Sequence, residues 1–488
     1  MSALMPPASQ ATTLAATRTT PANVHHARTD RITFWRIADR SCADAADSGN
    51  LRITMYSRDQ VKAITDKIFN MSGADNIEVN FSSSERSGTR FANSSISANL
   101  VQFDQQLTIT THVGAKVGTS ATRDFSDTSL KLTFDEAMTN GRGAPDRATP
   151  PVLMGPQEYI PVDAALPSAK SFGPAERARM VRTSIDISKK MGTVGSGFIP
   201  KNHQTTCEAN TKGLFAFYEV ADASFILTCR MPDGSGSGWA GITGIKDIGM
   251  INPVEITEVA SKKALDSRKA RALEPGRYTV ILEPRANARF LSLMTGIFGG
   301  GGGQFMQGKK PGDKIFSDLF TLKSDIGNPI LRQTTMLGDN TPAAPVTWLE
   351  KGVLRNLTGG PNSTSPKANV NMSLVMEGSD LSTADMIKQT KRGLLVTFFW
   401  YIRGVDNATL LNTGMTRDGL FLIENGEITM PVQNFRWNMS PLVGYNNVSL
   451  VGKPVPMSMG ESYDGGNSAL IPPVRIEDFY MTSISPAV

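Results

Sequence analysis

Histidine is scarce in this chain. Four occur in 488 residues, His25, His26, His112 and His203, and none follows His203. A histidine-based zinc site in the C-terminal half is therefore excluded. The pattern H-E-x-x-H does not occur, and no G-x-S-x-G lies near His112 or His203, so neither a helical zinc hydrolase nor a nucleophile elbow is written here. Cysteine is scarcer still. Cys42, Cys207 and Cys229 are odd in number and far apart, which gives no disulfide framework and points to a reducing compartment. No run of about 18 apolar residues exists, so no membrane helix is expected. The net charge of +5 and pI near 9.0 are not gathered into long Lys/Arg runs. That is a solvated surface rather than a nucleic-acid footprint. No repeat with a period of about 20–50 residues is visible.

The composition that remains, 40% hydrophobic and 19% charged, is that of a chain able to build sizeable cores. Residues 1–54 are rich in Ala, Thr, Ser and Arg without a period, and are expected to be a disordered extension. Patterned sequence begins at Met55, which is a candidate start; mass spectrometry of the native N-terminus would decide it.

From there the periods alternate. Val61, Ile64 and Ile68 fall on one face of a helix over 58–70. Ile77, Val79 and Phe81 alternate as a strand. A Ser/Gly turn is expected over 82–88, then strands over 89–96 and 107–113. Helices are predicted over 127–139 and 174–191, the second with Ala178, Val181, Ile185 and Met191 as its apolar stripe. Strands over 213–220 and 223–230 are expected to form a hairpin across Ala221 and Asp222. Residues 233–238 look like a flexible Gly/Ser loop. Asn252, Pro253 and Glu255 open a well-marked helix over 252–271.

A domain boundary is placed near 275. Past it, short strands dominate, with helices over 286–298 and 381–391, the latter capped by Ser379 or Asp380. Strands are expected over 393–403, 419–423, 427–432 and 474–479. Asn425–Gly426 is a strong hairpin turn. The architecture predicted is α+β in two domains, 55–274 and 275–488.

Two motifs are weak. His203 and Cys207 have ligand spacing for a helix, but Pro200 and polar neighbours suggest a loop. Gly303 to Lys310 fits G-x-x-x-x-G-K, yet Lys310 stands where Ser or Thr would hold magnesium, and a helix rather than a strand precedes it. The run Gly299–Gly303 is expected to be a flexible connection. No cofactor is implied.

Three stretches together, early, late and C-terminal, resemble the TldD/PmbA family. SGTRFANS at 87–94 is similar to its early R-F-A-N-S segment. GLLVT at 393–397, NTGMTRDG at 412–419 and IENGE at 423–427 are similar to its late string, and PPVRIEDF at 472–479 to its C-terminal strand. The order and spacing fit across 55–488. The resemblance implies an α/β N-terminal domain with an antiparallel meander, and a C-terminal, mostly antiparallel, curved or barrel-like sheet. It also implies a cytoplasmic protein working as a dimer around a chamber.

One branch of that family is a zinc peptidase with an H-E-x-x-x-H helix after a V-V-L strand. The PmbA/TldE branch lacks the motif and pairs with the peptidase as a non-catalytic subunit. Val280–Ile281–Leu282 resembles the V-V-L strand. Counted on without a gap, Ser292 and Ile297 stand at the two zinc-histidine positions and Leu293 at the glutamate base. Leucine and isoleucine cannot ligate zinc, and no cysteine follows Cys229 for the family's further ligand. No catalytic, cofactor or metal residues are therefore assigned. The expected partners are a TldD-like zinc subunit, or a second copy of this chain, and an unfolded peptide.

Overall fold

The computed structural model describes residues 55–147, 149, 152–299, 303–358, 368–461 and 468–485. The extension 1–54 and most of the glycine run, 300–302, lie outside the described residues.

The first sheet is six antiparallel strands in the order β3-β2-β1-β4-β5-β6. Their ranges are β1 Asn76–Ala92, β2 Ser95–Val113, β3 Lys116–Thr122, β4 Val194–Asn210, β5 Phe215–Arg230 and β6 Ser237–Ile245. Helices cover one face of it. Arg58–Phe69 and Asp127–Gly143 close a core with Phe81, Leu107 and Ile109. Pro174–Lys190 and Pro253–Asp266 close a second around Phe91, Ala223 and Phe225. The capping residues explain the helix starts. Ser57 and Gln60 form a capping box, and the Asn252 side chain accepts from the backbone of Val254 and Glu255.

Several expectations change here. Residues 82–88 are not a turn but the middle of β1, paired on both sides with β2 and β4. Polar residues persist there because they have polar partners. The buried Arg177 donates to Thr89 Oγ1 at 3.2 Å, Ser87 Oγ at 3.4 Å and the Phe172 carbonyl at 3.1 Å. Lys201 donates to Glu85 at 3.0 Å. The same contacts correct the inward face of helix Pro174–Lys190. It buries Arg177, Val181, Ser184 and Ser188, whereas Ala178, Ile185 and Met191 are only half-buried.

The turn falls instead at Asn93 and Ser94, both at positive φ, which is the hairpin geometry their side chains tolerate. Ala221 and Asp222 continue β5 opposite His203 and Asn202 rather than turning. Asp222 can sit in a strand because Lys246 and Asn202 satisfy its carboxylate. Gly238, placed in a flexible loop by composition, begins β6 against a helix. A Cβ there would lie 2.4 Å from the Ala260 carbonyl oxygen, so close packing rather than freedom requires glycine.

The second half is built on a closed ring of five strands. It runs Arg392–Asp406, Gly276–Leu282, Val474–Ile484, Phe435–Met439, Leu411–Glu424 and back to Arg392–Asp406. Glu427–Pro431 extends it through the predicted hairpin, with Asn425 and Gly426 at positive φ. A further sheet of six short strands includes Leu374–Met376, Ser468–Ile471 and Val455–Ser458. The fold is α+β, and the C-terminal region is the barrel-like, mostly antiparallel sheet that was expected.

Helix Pro284–Ser292 packs into the core of this half. Phe290 is fully buried among Phe399, Trp437, Tyr445 and Phe479, with ring centroids 5.5–6.4 Å away. The helix is shorter than the predicted 286–298. It ends at Ser292, whose hydroxyl donates back to the Arg289 carbonyl at 2.7 Å, and a 3-10 turn Thr295–Gly299 follows. Gly296 and Gly299 disfavour continuation. Helix Thr383–Lys388 is likewise short, and Ser382 caps it rather than Ser379 or Asp380. No helix among the described residues is long and apolar enough to cross a membrane.

Candidate functional site

The three positions aligned with a zinc motif are spread across a helix end. Ser292 is the last helical residue, Leu293 is the cap, and Ile297 lies in the 3-10 turn. Ile297 is buried in the core of the second half, and Leu293 packs against the same core. Two buried arginines of this helix point the other way, toward the segment 458–461. Arg285 donates to the carbonyls of Ser458 and Gly460 at 2.5 and 2.9 Å, and Arg289 to that of Met459 at 2.9 Å.

His203 and Cys207 lie on β4, not in a loop. Residues four apart in a strand are about 13 Å apart, too far to share a metal ion. His203 Nε2 is 2.8 Å from Glu219, and Cys207 is buried in the apolar core with Phe81. Burial pushes the Cys207 thiol up to about 12, so it stays protonated and inert. His112 sits in β2, 2.7 Å from Glu78. Among the described residues no group of three or more His, Cys, Asp or Glu is placed to hold a metal ion. The near phosphate loop, from Gly303 on, opens with one helical turn, Gly303–Met306, and the described residues before it, Thr295–Gly299, form a 3-10 turn rather than the strand that a phosphate cradle needs.

The concave feature lies elsewhere, on the face of the first sheet not covered by helices. A cleft of about 850 Å³ is floored by β1, β2, β4 and β5 and walled by Gln333, Thr334, Ser458 and Ser468 from the second half. Strand alternation brings Arg86 and Arg90 of β1, Phe198 and Asn202 of β4, and Tyr218 and Asp222 of β5 to one surface. At its centre Lys246 pairs with Asp222 at 3.1 Å, both largely buried, and Asn202 donates to the other carboxylate oxygen at 3.1 Å. Tyr218 is held as a neutral phenol, because burial and the Asp222 charge push its pKa up. The wall is seated by tight contacts. The Gln333 amide donates to the Ser468 carbonyl at 2.5 Å, and the Ser458 N–H donates to Thr243 of β6 at 2.5 Å.

None of these cleft residues was assigned to a site by sequence; Arg90 entered only through the SGTRFANS string and Asp222 only as a turn residue. Arg86 lay in the stretch expected to turn, and nothing in β4 was expected to be strand. Alternation of Arg86, Gly88 and Arg90 with Ser87 and Thr89 is the signal that was present.

Farther along the same sheet face, Glu208 accepts from Asn80 and lies near Glu78. Burial, then the Glu78 charge, pushes Glu208 up to about 7. A carboxyl raised in the folded state stabilises the fold most below its ordinary pKa, and that contribution disappears as pH rises through about 7. Urea denaturation should therefore show Glu208→Gln gaining on the parent protein between pH 5 and pH 8. The gain expected is about 1–2 kcal/mol after allowing for partial solvent screening. A constant difference across that range would rule out Glu208 as the titrating group.

Residues 275–483 match the PmbA/TldA metallopeptidase C-terminal domain. That C-terminal region is a domain of the PmbA/TldD type. Solved structures agree in fold. A proposed modulator of a DNA gyrase from Thermotoga maritima is similar at TM-score 0.70 and 16% identity, covering 86% of this chain and 99% of that one. TldE from Thermococcus kodakarensis is similar at TM-score 0.69 and 17% identity, covering 88% and 100%. A proposed modulator of DNA gyrase from Bacteroides thetaiotaomicron is similar at TM-score 0.68 and 17% identity, with the same coverage. No curated protein matches the sequence. The strings that resemble the TldD/PmbA family fall at structural joints. RFANS makes the β1–β2 turn, GLLVT pairs in parallel with Val280–Leu282, and PPVRIEDF pairs on that strand's other side.

Proposed function

We propose that this chain is a PmbA/TldE-like subunit that cleaves no peptide itself. It completes a dimer with a TldD-like zinc peptidase and helps enclose an unfolded peptide substrate. The observation that carries the reading is the chemistry at Ser292, Leu293 and Ile297. Two of the three side chains have no donor atom, and the third is spent on its own helix turn. The cleft supports the second element, since it offers a long floor with polar and apolar side chains and is open to an extended chain. Leu100 to Gln102 of β2 line it, and β3 pairs only with Leu107–Val113. The outer edge of β2 before Leu107 has no strand partner among the described residues. It can accept an extended backbone by strand addition.

Co-expression with a TldD-like paralogue from the same genome tests the pairing. The expected result is a complex stable to gel filtration that cleaves casein and stops when zinc is chelated, while the chain alone is inactive. Failure of the two chains to co-elute would sink the pairing. Casein cleavage by the pure chain would sink the non-catalytic role. The second reading is a homodimeric peptide-binding protein with no proteolytic role.

A further inference from the structure

The charges in the cleft do not balance. Asp222 is neutralised by Lys246, and Glu85 by Lys201. Arg86 and Arg90 are exposed at the mouth, and among the described residues neither has a carboxylate within ion-pair distance. Arg90 instead lies over the Phe198 ring, 4.5 Å from its centroid. Phe198 in turn presses on Gly88, where a Cβ would fall 2.5 Å from the ring. The result is an apolar plate between two guanidinium groups on one strand. Four residues of strand set their Cα atoms about 13 Å apart. Leu100 and Val101, both exposed, flank the pair from β2.

Exposed arginines are normally left to water, and a pair at a cleft mouth, with Arg90 over an aromatic ring, is a different case. Guanidinium is weakly hydrated, keeps its charge at every working pH, and makes forked bonds to carboxylates. An extended peptide repeats its side chains with the same rise as β1. Acidic residues at positions i and i+4, with an apolar residue between them, would match Arg86, the Phe198 plate and Arg90 in order.

We propose that the cleft selects acidic extended peptide segments, with Arg86 and Arg90 as the carboxylate-binding residues. This rests on the peptide-enclosing role above and adds a substrate preference to it. Fluorescence anisotropy on the full chain tests it, with a labelled unstructured peptide carrying glutamates at i and i+4 around a leucine. The same peptide with glutamines is the comparison. The glutamate peptide should bind about tenfold more tightly, and the gap should shrink at high salt. Arg86→Ala with Arg90→Ala should remove the gap, weakening the glutamate peptide more than the glutamine peptide. Arg86→Glu with Arg90→Glu should turn the preference toward a lysine version. Both side chains are exposed, so melting temperatures should stay close to that of the parent.

Equal binding of the glutamate and glutamine peptides overturns the acidic preference and leaves peptide enclosure standing. A gap that survives the double alanine variant overturns the assignment of these two residues. Binding of neither peptide overturns both the preference and the peptide-enclosing reading.

Discussion

Phe290→Ala should lower the free energy of unfolding by about 3–5 kcal/mol, the range seen when a large aromatic is removed from a closed core. The site cannot collapse to fill the gap. Phe290 is ringed by Phe399, Trp437, Tyr445 and Phe479, and each of those is itself fully buried. Tyr445 is fixed twice over, by a hydrogen bond from its hydroxyl to Asn287 at 2.7 Å and by stacking on Phe320 at 4.4 Å. Gly444 leaves no slack either, since a Cβ there would lie 2.6 Å from the Phe290 ring. Urea denaturation followed by tryptophan fluorescence measures the loss, with Trp437 in the cluster as a local reporter. A loss under about 1 kcal/mol would mean the cluster is loosely packed.

The second large effect is expected at Arg177. Its side chain is 1% exposed and lies beneath β1. Burial pulls its pKa down and Glu85 partly restores it. Arg177→Ala should cost about 2–4 kcal/mol. It strips the Phe172 carbonyl and two buried hydroxyls of their donor and opens a cavity. Arg177→Met keeps most of the packing volume without the donors, so it should recover about 1 kcal/mol of that loss. If the two variants melt together, the hydrogen bonds rather than the packing account for the whole effect. Because Ser87 and Thr89 sit next to Arg86, Gly88 and Arg90, peptide affinity should weaken in the alanine variant even at temperatures where it is fully folded.

The elements that sequence predicts well are those whose reasons are local. Ile64 and Ile68 carry a helical period, Asn252 and Pro253 a cap, and Asn425–Gly426 a turn, and each feature appears where its chemistry requires it. The errors share one cause. Residues 82–88, the Ala221–Asp222 pair and His203–Cys207 all look like turns or loops by composition, yet all lie within long strands. Their polar side chains are paired with residues distant in sequence, such as Arg177 with Ser87 and Lys246 with Asp222. A local reading has no access to such partners. The cleft was hidden for the same reason, since it exists only after β1, β2, β4 and β5 are set side by side. The positions Ser292, Leu293 and Ile297 rested on a count from Val280–Leu282 and on the identity of three side chains. What the count could not show is that the helix stops at Ser292, leaving Ile297 in the core.

The five-strand ring also constrains when this protein can fold. Strand Gly276–Leu282 is central to it, held between Arg392–Asp406 on one side and Val474–Ile484 on the other. Thr279 meets Glu477 across 198 residues of chain. During synthesis the first sheet and its helices can close on contacts already made, but the ring cannot close until residue 484 has left the ribosome. Until then Val280, Ile281 and Leu282 lack the neighbour supplied by Val474–Ile484, leaving an apolar strand with an open edge. The half of the molecule that carries the family's signature is therefore the slow half to assemble and the one that most needs protection while it is being made.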